Sequence, residues 1–410
     1  MINNETYCCK PFSEICNIPG KHYTPCCWSF PKHEKDPNNL ENPNTMLPLD
    51  CFDGENFRKL RRDMIAGEKT DFLKSYCHHC FELEESIGRS PRTDSFLNNK
   101  EYIKNFNLDG SLKKDTKNRF IYLSLNFYGI SCNLQCYYCE PTVSTSRQKA
   151  FEKIENLDDT GVISKQFLNP KEWFHFDTNN QNQFNKIVNQ VLEYADIINA
   201  IEIVGGEPML MKTHFILLDK LIENNKSFGI SLNYTSNMTL MNVEKMKKYF
   251  ENFRYTHIQW SVDALEERNH WLRFPTNWNQ TIKNVFEIQS YFKKNKNGEI
   301  LATITPTLLG IVSLRKTYNW ILTRNLLNKK TPIFNILSKP SFLRTRNLPN
   351  SIKEKIANDI KIISEPHYND LMHERDDRQF ELAVKYFDLL DQSRGTNWRS
   401  TFPEVAKYAN

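Results

Sequence analysis

Cys132, Cys136 and Cys139 fall within one run of eight residues, Cys-Asn-Leu-Gln-Cys-Tyr-Tyr-Cys. No other feature restricts this chain so much. Three thiolates so close together can each hold one iron of a cubane cluster, leaving the fourth iron without a protein ligand. An open metal position supports chemistry, whereas a closed one holds structure together. The plainer reading of the same spacing is a zinc knuckle or a chance cluster. A strand candidate over 120–127 leads directly into the cysteine run.

The pattern downstream alternates strand and helix. Phe184, Ile187, Val188, Val191, Leu192 and Ala195 share one face at the helical period. Strand candidates follow over 201–204, 229–234, 257–262, 300–308 and 332–337, separated by amphipathic segments such as 215–222 and 243–250. Six strands in βα order favour parallel pairing with right-handed crossovers. The second strand ends at Gly205-Gly206-Glu207-Pro208, where two glycines let the backbone approach a ligand closely. The third ends at Ser236-Asn237-Met238-Thr239, and the fourth at Ser261-Val262-Asp263, with Arg273 ten residues on in Trp-Leu-Arg-Phe-Pro.

With 410 residues, 39% hydrophobic and 25% charged, the chain has ample material for a buried core and the balance of a soluble protein. A net charge of +5 is mild and forms no phosphate-tracking stripe, which argues against a nucleic-acid partner. No apolar run approaches a bilayer span, and the first residues lack the basic and apolar pattern of a signal peptide. The expected compartment is the cytoplasm, where eleven cysteines suggest metal ligands rather than disulfides.

CxxxCxxC followed by Gly-Gly-Glu-Pro at the second strand resembles the radical S-adenosylmethionine (SAM) superfamily. The resemblance implies a (βα)6 partial TIM barrel over 119–340. It implies a SAM-binding 4Fe–4S cluster on Cys132, Cys136 and Cys139, with reductive cleavage of SAM to a 5′-deoxyadenosyl radical. The family's aromatic residue before the third cysteine is Tyr138. Gly206 and Glu207 carry over as receivers of the SAM amino group, and Ser261 and Arg273 as partners of its carboxylate, a task that suits a guanidinium fork. Asn237 is a plausible contact, although Ser236 and Met238 depart from the Thr-Asn-Gly-Thr that relatives often have. Thr305, Pro306 and Leu337 would lie near the adenosyl half. An external reductant such as flavodoxin or ferredoxin is implied as well.

The amino-terminal 118 residues hold the other eight cysteines. Cys77-His78-His79-Cys80 is a natural clip for two ligands on one metal, and Cys8, Cys9, Cys26 and Cys27 lie upstream. The arrangement resembles the auxiliary iron–sulfur module of the SPASM/twitch group, placed before the barrel instead of after it. The resemblance implies an auxiliary 4Fe–4S cluster on Cys9, Cys27, Cys77 and Cys80, with Cys26 or Cys8 as substitutes. Zinc competes, on four thiolates or on a set including His78 or His79. The segment 141–177 is long for a connection and is expected to fold over the barrel mouth. Residues 341–410 read as helices that close the barrel, with Arg394 a remote candidate for anchoring substrate.

The expected function is hydrogen abstraction from a peptide or protein, leading to oxidation, cross-linking or epimerisation. The alternatives are the same chemistry on a sugar or nucleotide, and a non-catalytic metal-binding interaction protein on an inherited barrel. Tyr128, Tyr137, Glu84 and His270 are all conceivable proton or hydrogen carriers, and the sequence does not choose among them.

Overall fold

The computed structural model describes residues 6–17, 23–29, 45–88, 90–93, 100–126, 129–168, 180–324 and 331–409. Their strands form one eight-stranded sheet: β1 (Glu14–Asn17), β2 (Tyr23–Thr24), β3 (Ile121–Leu125), β4 (Ile198–Ile203), β5 (Ser231–Ser236), β6 (Tyr255–Ser261), β7 (Gly298–Ile304) and β8 (Ile333–Phe334). The order is β2-β1-β3-β4-β5-β6-β7-β8. Every neighbouring pair is parallel except β1 with β2. The six expected strands are β3 to β8, and the two further ones come from the amino-terminal segment. β1 pairs with β3 from Glu14↔Tyr122 to Asn17↔Leu125, and the Asn126 amide continues the ladder to the Asn17 carbonyl at 3.1 Å. The segment expected as a separate lobe over 1–118 is thus joined to the barrel sheet by a parallel strand.

Alternation along the strands gives the sheet two unlike faces. Ile121, Leu123, Leu125, Ile201, Ile203, Leu232, Ile258, Trp260, Ile300 and Ala302 are buried in the apolar core under the crossover helices. On the opposite face, register aligns Glu14 and Cys16 with Tyr122 and Ser124, then Glu202, Asn233, His257 and Glu299. These polar residues bond across the ladder: Tyr122 accepts from Asn233 at 3.0 Å, and His257 meets Glu299 at 2.9 Å.

The crossover helices start where the sequence supplies a cap. Asn180, Asn242 and Asn277 each accept an amide of the first turn, opening Gln181–Glu193, Val243–Asn252 and Trp278–Asn295. The segment expected as a long loop over 141–177 instead contains a helix, Thr145–Leu157, capped by Ser144; residues 169–179 lie outside the described ones. The carboxyl-terminal region is helical, and its long helix Asp377–Arg394 packs against Thr145–Leu157. Among the described residues no helix is long and apolar enough to cross a membrane.

Candidate active site at the cysteine loop

The cysteine run has no regular structure, and its shape comes from clamps on its backbone. The Gln135 and Tyr137 amides donate to the carbonyls of Phe274 and Leu272 at 2.5 and 3.1 Å. Thr145 Oγ1 accepts from the Cys132 amide at 3.3 Å, and Ser146 Oγ donates to the Cys132 carbonyl at 2.5 Å. Arg147 Nε donates to the Cys139 carbonyl at 3.0 Å, Tyr386 OH to that of Tyr137 at 2.5 Å, and Arg394 to that of Gln135. The Leu134 amide points at Cys132 Sγ, 3.4 Å away. Burial raises all three thiols, Cys132 to about 11 and Cys139 to about 12, with Cys136 adding to both shifts. Iron binding must therefore release their protons.

The Gly-Gly-Glu-Pro turn closes directly on this loop. Gly205 and Gly206 have φ of 96° and 26°. A Cβ on Gly206 would lie 2.2 Å from the Ser131 carbonyl oxygen, and one on Gly205 2.3 Å from Asn126 Oδ1. The Glu207 amide donates to the Ser131 carbonyl at 2.7 Å. Only glycine permits so close an approach. The Glu207 carboxylate is fully buried and accepts from Ser236 Oγ and the Asn237 amide, both at 2.8 Å. Burial pushes it up to about 7, with those two donors pulling the other way. The side chain thus fastens the end of β5, and the backbone of the turn is what approaches the cysteine loop.

Asn237 donates to Asn133 within the loop at 3.0 Å and accepts from Thr239 Oγ1 at 2.6 Å, while Asn133 donates to Thr239 Oγ1 at 2.9 Å. Met238, which stands where relatives often have glycine, is fully buried with φ of 62°. That left-handed position explains a glycine there and makes the methionine strained.

Arg273 directly follows the helix Glu266–Leu272. Its Nη1 donates to Tyr138 OH at 2.6 Å and to Asp263 Oδ2 at 2.9 Å, and Tyr138 OH also donates to Asp263 at 2.9 Å. Asp263 Oδ1 accepts the Thr305 amide at 2.9 Å. Arg273 Nε is buried without a hydrogen-bond partner, a donor held ready for an anion. Desolvation works against the buried guanidinium, but Cys136, Tyr138 and Asp263 outweigh it and keep it charged. Ser261 ends β6 on the polar face, opposite Thr303.

The structure thus gathers Cys132, Cys136, Cys139, Tyr138, Gly206, Glu207, Asn237 and Arg273 around one loop. It adds Asp263, Arg147 and Tyr386, which sequence reasoning did not single out; only Asp263 lay within a quoted motif. Arg394, considered as a substrate anchor, donates to the Gln135 carbonyl of the loop and to that of Trp271. Among the groups weighed for proton or hydrogen transfer, Tyr137 is fully buried with its hydroxyl on Thr307 at 2.5 Å. His270 Nδ1 meets the Thr276 carbonyl, and Glu84 is held by Arg92 and Ser90. Tyr128 lies outside the described residues.

In the amino-terminal segment, helix Asp71–Ile87 is capped by Thr70 and carries Cys77 and Cys80 one turn apart, on one face. Cys8 is an electrostatic neighbour of Cys26, Cys77 and Cys80, and Cys26 of Cys77. Burial is the leading cause that raises the thiols of Cys26, Cys77 and Cys80. Cys8 and Cys26, named as substitutes, are thus neighbours of the Cys77–Cys80 clip, with Cys9 beside Cys8 and Cys27 beside Cys26. Cys9 precedes the short helix Lys10–Ser13, and exposed Cys27 has Glu14, Lys10 and Glu202 as charged neighbours and also lies near Cys26 and Cys16. His78 is turned onto the Ser75 carbonyl at 3.1 Å, and His79 lies 4.0 Å from Glu82. Among the described residues, no three His, Cys, Asp or Glu side chains are drawn together as for a single metal ion. A cluster spreads its thiolates over separate irons and asks for no such convergence.

Residues 128–312, from the cysteine loop to the turn that follows β7, match the Radical SAM superfamily. Over that stretch, just under half of its length, the chain thus resembles radical SAM enzymes, with no reaction specified. The family implies a 4Fe–4S cluster and SAM. Among solved structures the chain is similar to native anSMEcpe with bound AdoMet, at 18% identity over 62% of this chain and 64% of that one, with a TM-score of 0.40. The same protein with bound AdoMet and Cp18Cys peptide matches at 17% identity over 61% of each chain, with a TM-score of 0.36. Streptococcus suis SuiB bound to S-adenosylmethionine matches at 14% identity over 75% of this chain and 63% of that one, with a TM-score of 0.34. The chain spans less than two thirds of the length of each of these structures. No curated protein matches it.

Proposed function

We propose that Cys132, Cys136 and Cys139 hold a 4Fe–4S cluster at which the enzyme abstracts hydrogen from a peptide or protein substrate, for oxidation, cross-linking or epimerisation. The observation that carries the radical chemistry is the contact of Gly206 with Ser131, which sets a ligand-receiving turn against a three-thiol loop. When bound, the cluster and SAM together supply a 5′-deoxyadenosyl radical, with the electron coming from an external donor such as flavodoxin or ferredoxin. The residues fit that pair chemically. Three thiols on a clamped loop leave one iron open, the Gly205-Gly206 backbone offers carbonyls to an ammonium, and Arg273 Nε offers a spare donor to a carboxylate. Tyr138 and Asp263 hold Arg273 in place, and Glu207 fixes the end of β5 so that Asn237 lines the loop. Ser261 belongs to the carboxylate side of the same bed.

The peptide reading rests on the SPASM/twitch resemblance of the amino-terminal segment, a group rich in peptide-modifying members. In this reading Cys8, Cys26, Cys77 and Cys80 carry an auxiliary 4Fe–4S cluster, with zinc as the competing metal. A sugar or nucleotide substrate has one observation in its favour, the polar ladder from Glu14 through Glu202 to Glu299, which suits hydroxyl and amine groups.

The test is anaerobic loading with iron and sulfide, then reduction with dithionite in the presence of SAM. The expected product is 5′-deoxyadenosine, lost in Cys136→Ala; a well-loaded wild type that makes none would refute the radical chemistry. A panel of peptides and of sugar nucleotides, scored for consumption under the same conditions, separates the two substrate classes.

A further inference from the structure

Two guanidinium groups, Arg147 buried and Arg394 partly buried, touch the cysteine loop without an ion pair to a carboxylate among the described residues. Arg147 is fully buried. It donates to the Cys139 carbonyl and to Tyr386 OH, it lies over the rings of Phe151, Phe167 and Tyr386, and its Nη1 has no partner. Arg394 donates to the carbonyls of Gln135 and Trp271, lies over Trp271 and Phe274, and has a buried Nε with no partner. The nearby carboxylates Glu140 and Asp391 act on Arg147 and Arg394 through space, but accept their hydrogen bonds from other groups. Glu140 accepts the Leu168 amide, and Asp391 accepts from Trp271 Nε1, Thr396 Oγ1 and the Trp398 amide. Among the described residues neither arginine forms an ion pair with an acid, whereas Arg273 pairs with Asp263. A buried cation costs too much to keep without a compensating anion, and the group these two arginines enclose is a loop of three thiols.

We propose that Arg147 and Arg394 are the counter-cations of the cysteine-loop cluster and raise its reduction potential; this rests on the reading of Cys132, Cys136 and Cys139 as its ligands. Reduction adds one electron from the external donor, moves no proton, and makes the centre one charge more negative. Fixed cations favour that product over the oxidised form, since cluster potentials respond to net charge and hydrogen bonding. The two arginines come from different elements, Thr145–Leu157 and Asp377–Arg394, so the carboxyl-terminal helix takes part in the chemistry through its charge as well as its packing.

The experiment is a mediated redox titration of the iron- and sulfide-loaded full chain, following the electron paramagnetic resonance signal that Cys136→Ala abolishes. Arg147→Gln and Arg394→Gln are each expected to lower the reduced-to-oxidised ratio at a fixed potential about tenfold, about 59 mV for one electron. Arg147→Lys and Arg394→Lys, which keep the charge and lose the fork, are expected to stay near wild type. The proposal is overturned if the Gln variants keep both cluster and potential, or if the Lys variants shift as far as Gln. If the Gln variants take up no cluster, the Lys variants decide: uptake at the wild-type potential supports the role of charge, and failure assigns both arginines to structure alone. A wild type with no signal dependent on Cys136 would instead remove the cluster reading on which the proposal stands.

Discussion

The cysteine loop at 132–139 and the amino-terminal cysteines group their thiols by opposite means. The loop has no secondary structure of its own and is shaped by hydrogen bonds to its carbonyls and amides from Thr145, Ser146, Arg147, Leu272, Phe274, Tyr386 and Arg394. The amino-terminal pair Cys77 and Cys80 rides on a regular helix, so its spacing follows from helical periodicity and from packing of Leu73, Tyr76 and Phe81 into the core. One site depends on distant residues pinning a flexible run. The other rests on a regular helix, with Cys8 and Cys26 as its neighbours. A loop held from outside can leave one side open for a ligand, while a helix flanked by two further thiols tends toward a closed set.

That contrast breaks at once if the wrong cysteines are assigned to the amino-terminal site. Cys8→Ala or Cys26→Ala is expected to lose the second metal, read as iron and zinc per chain, while Cys9→Ala and Cys27→Ala retain it. The opposite pattern would return the site to the ligands expected from the sequence.

Gly206→Ala probes the open side of the loop. The added methyl meets the Ser131 carbonyl in a backbone conformation that disfavours side chains, for a loss of about 3 kcal/mol in denaturant unfolding. SAM cleavage should fall with it, and a variant with full stability and full activity would show that the turn does not need to touch the loop.

Glu207 gives a pH signature of similar size. Its folded pKa of about 7 lies above the unfolded value of 4.5, so the native state keeps a proton that the unfolded chain gives up. Stability should therefore decline as pH rises from about 4.5 to about 7, by about 3 kcal/mol in total. Glu207→Gln should flatten that part of the stability profile, and an unchanged slope would mean that the carboxylate is ionised in the fold. The smallest effect is expected of Tyr386→Phe, which removes one donor to the loop and one acceptor for Arg147, for about 1–2 kcal/mol in unfolding and a larger fractional loss of SAM cleavage. Equal losses of stability and cleavage would make the hydroxyl a packing feature only.

Much of the barrel was legible because its signals are short-range. Each of the six expected strands appears as β3 to β8, since four to seven apolar or alternating residues bounded by turns suffice to mark a strand. β1 and β2 were missed because Glu14–Asn17 and Tyr23–Thr24 are short and gain their strand identity only by pairing with the edge of an existing sheet. The helix Thr145–Leu157 was missed because its buried residues, Arg147, Ala150, Phe151 and Ile154, include an arginine at a core position, which weakens the periodic signal.

By itself the sequence determined the chemistry: three thiols at CxxxCxxC spacing, a two-glycine turn after the second strand, and a two-residue clip in the amino-terminal segment. Such patterns are local, and the geometry they impose is set by a few bonds. Only the tertiary structure decided that Glu207 turns its carboxylate toward β5, and that Arg147 and Arg394 donate to carbonyls of the loop. Tyr386 lies 239 residues from Arg147, and Arg394 lies 259 residues from Gln135. Contacts between positions so far apart leave no periodicity in the chain, and they arise only when folding buries the charges together.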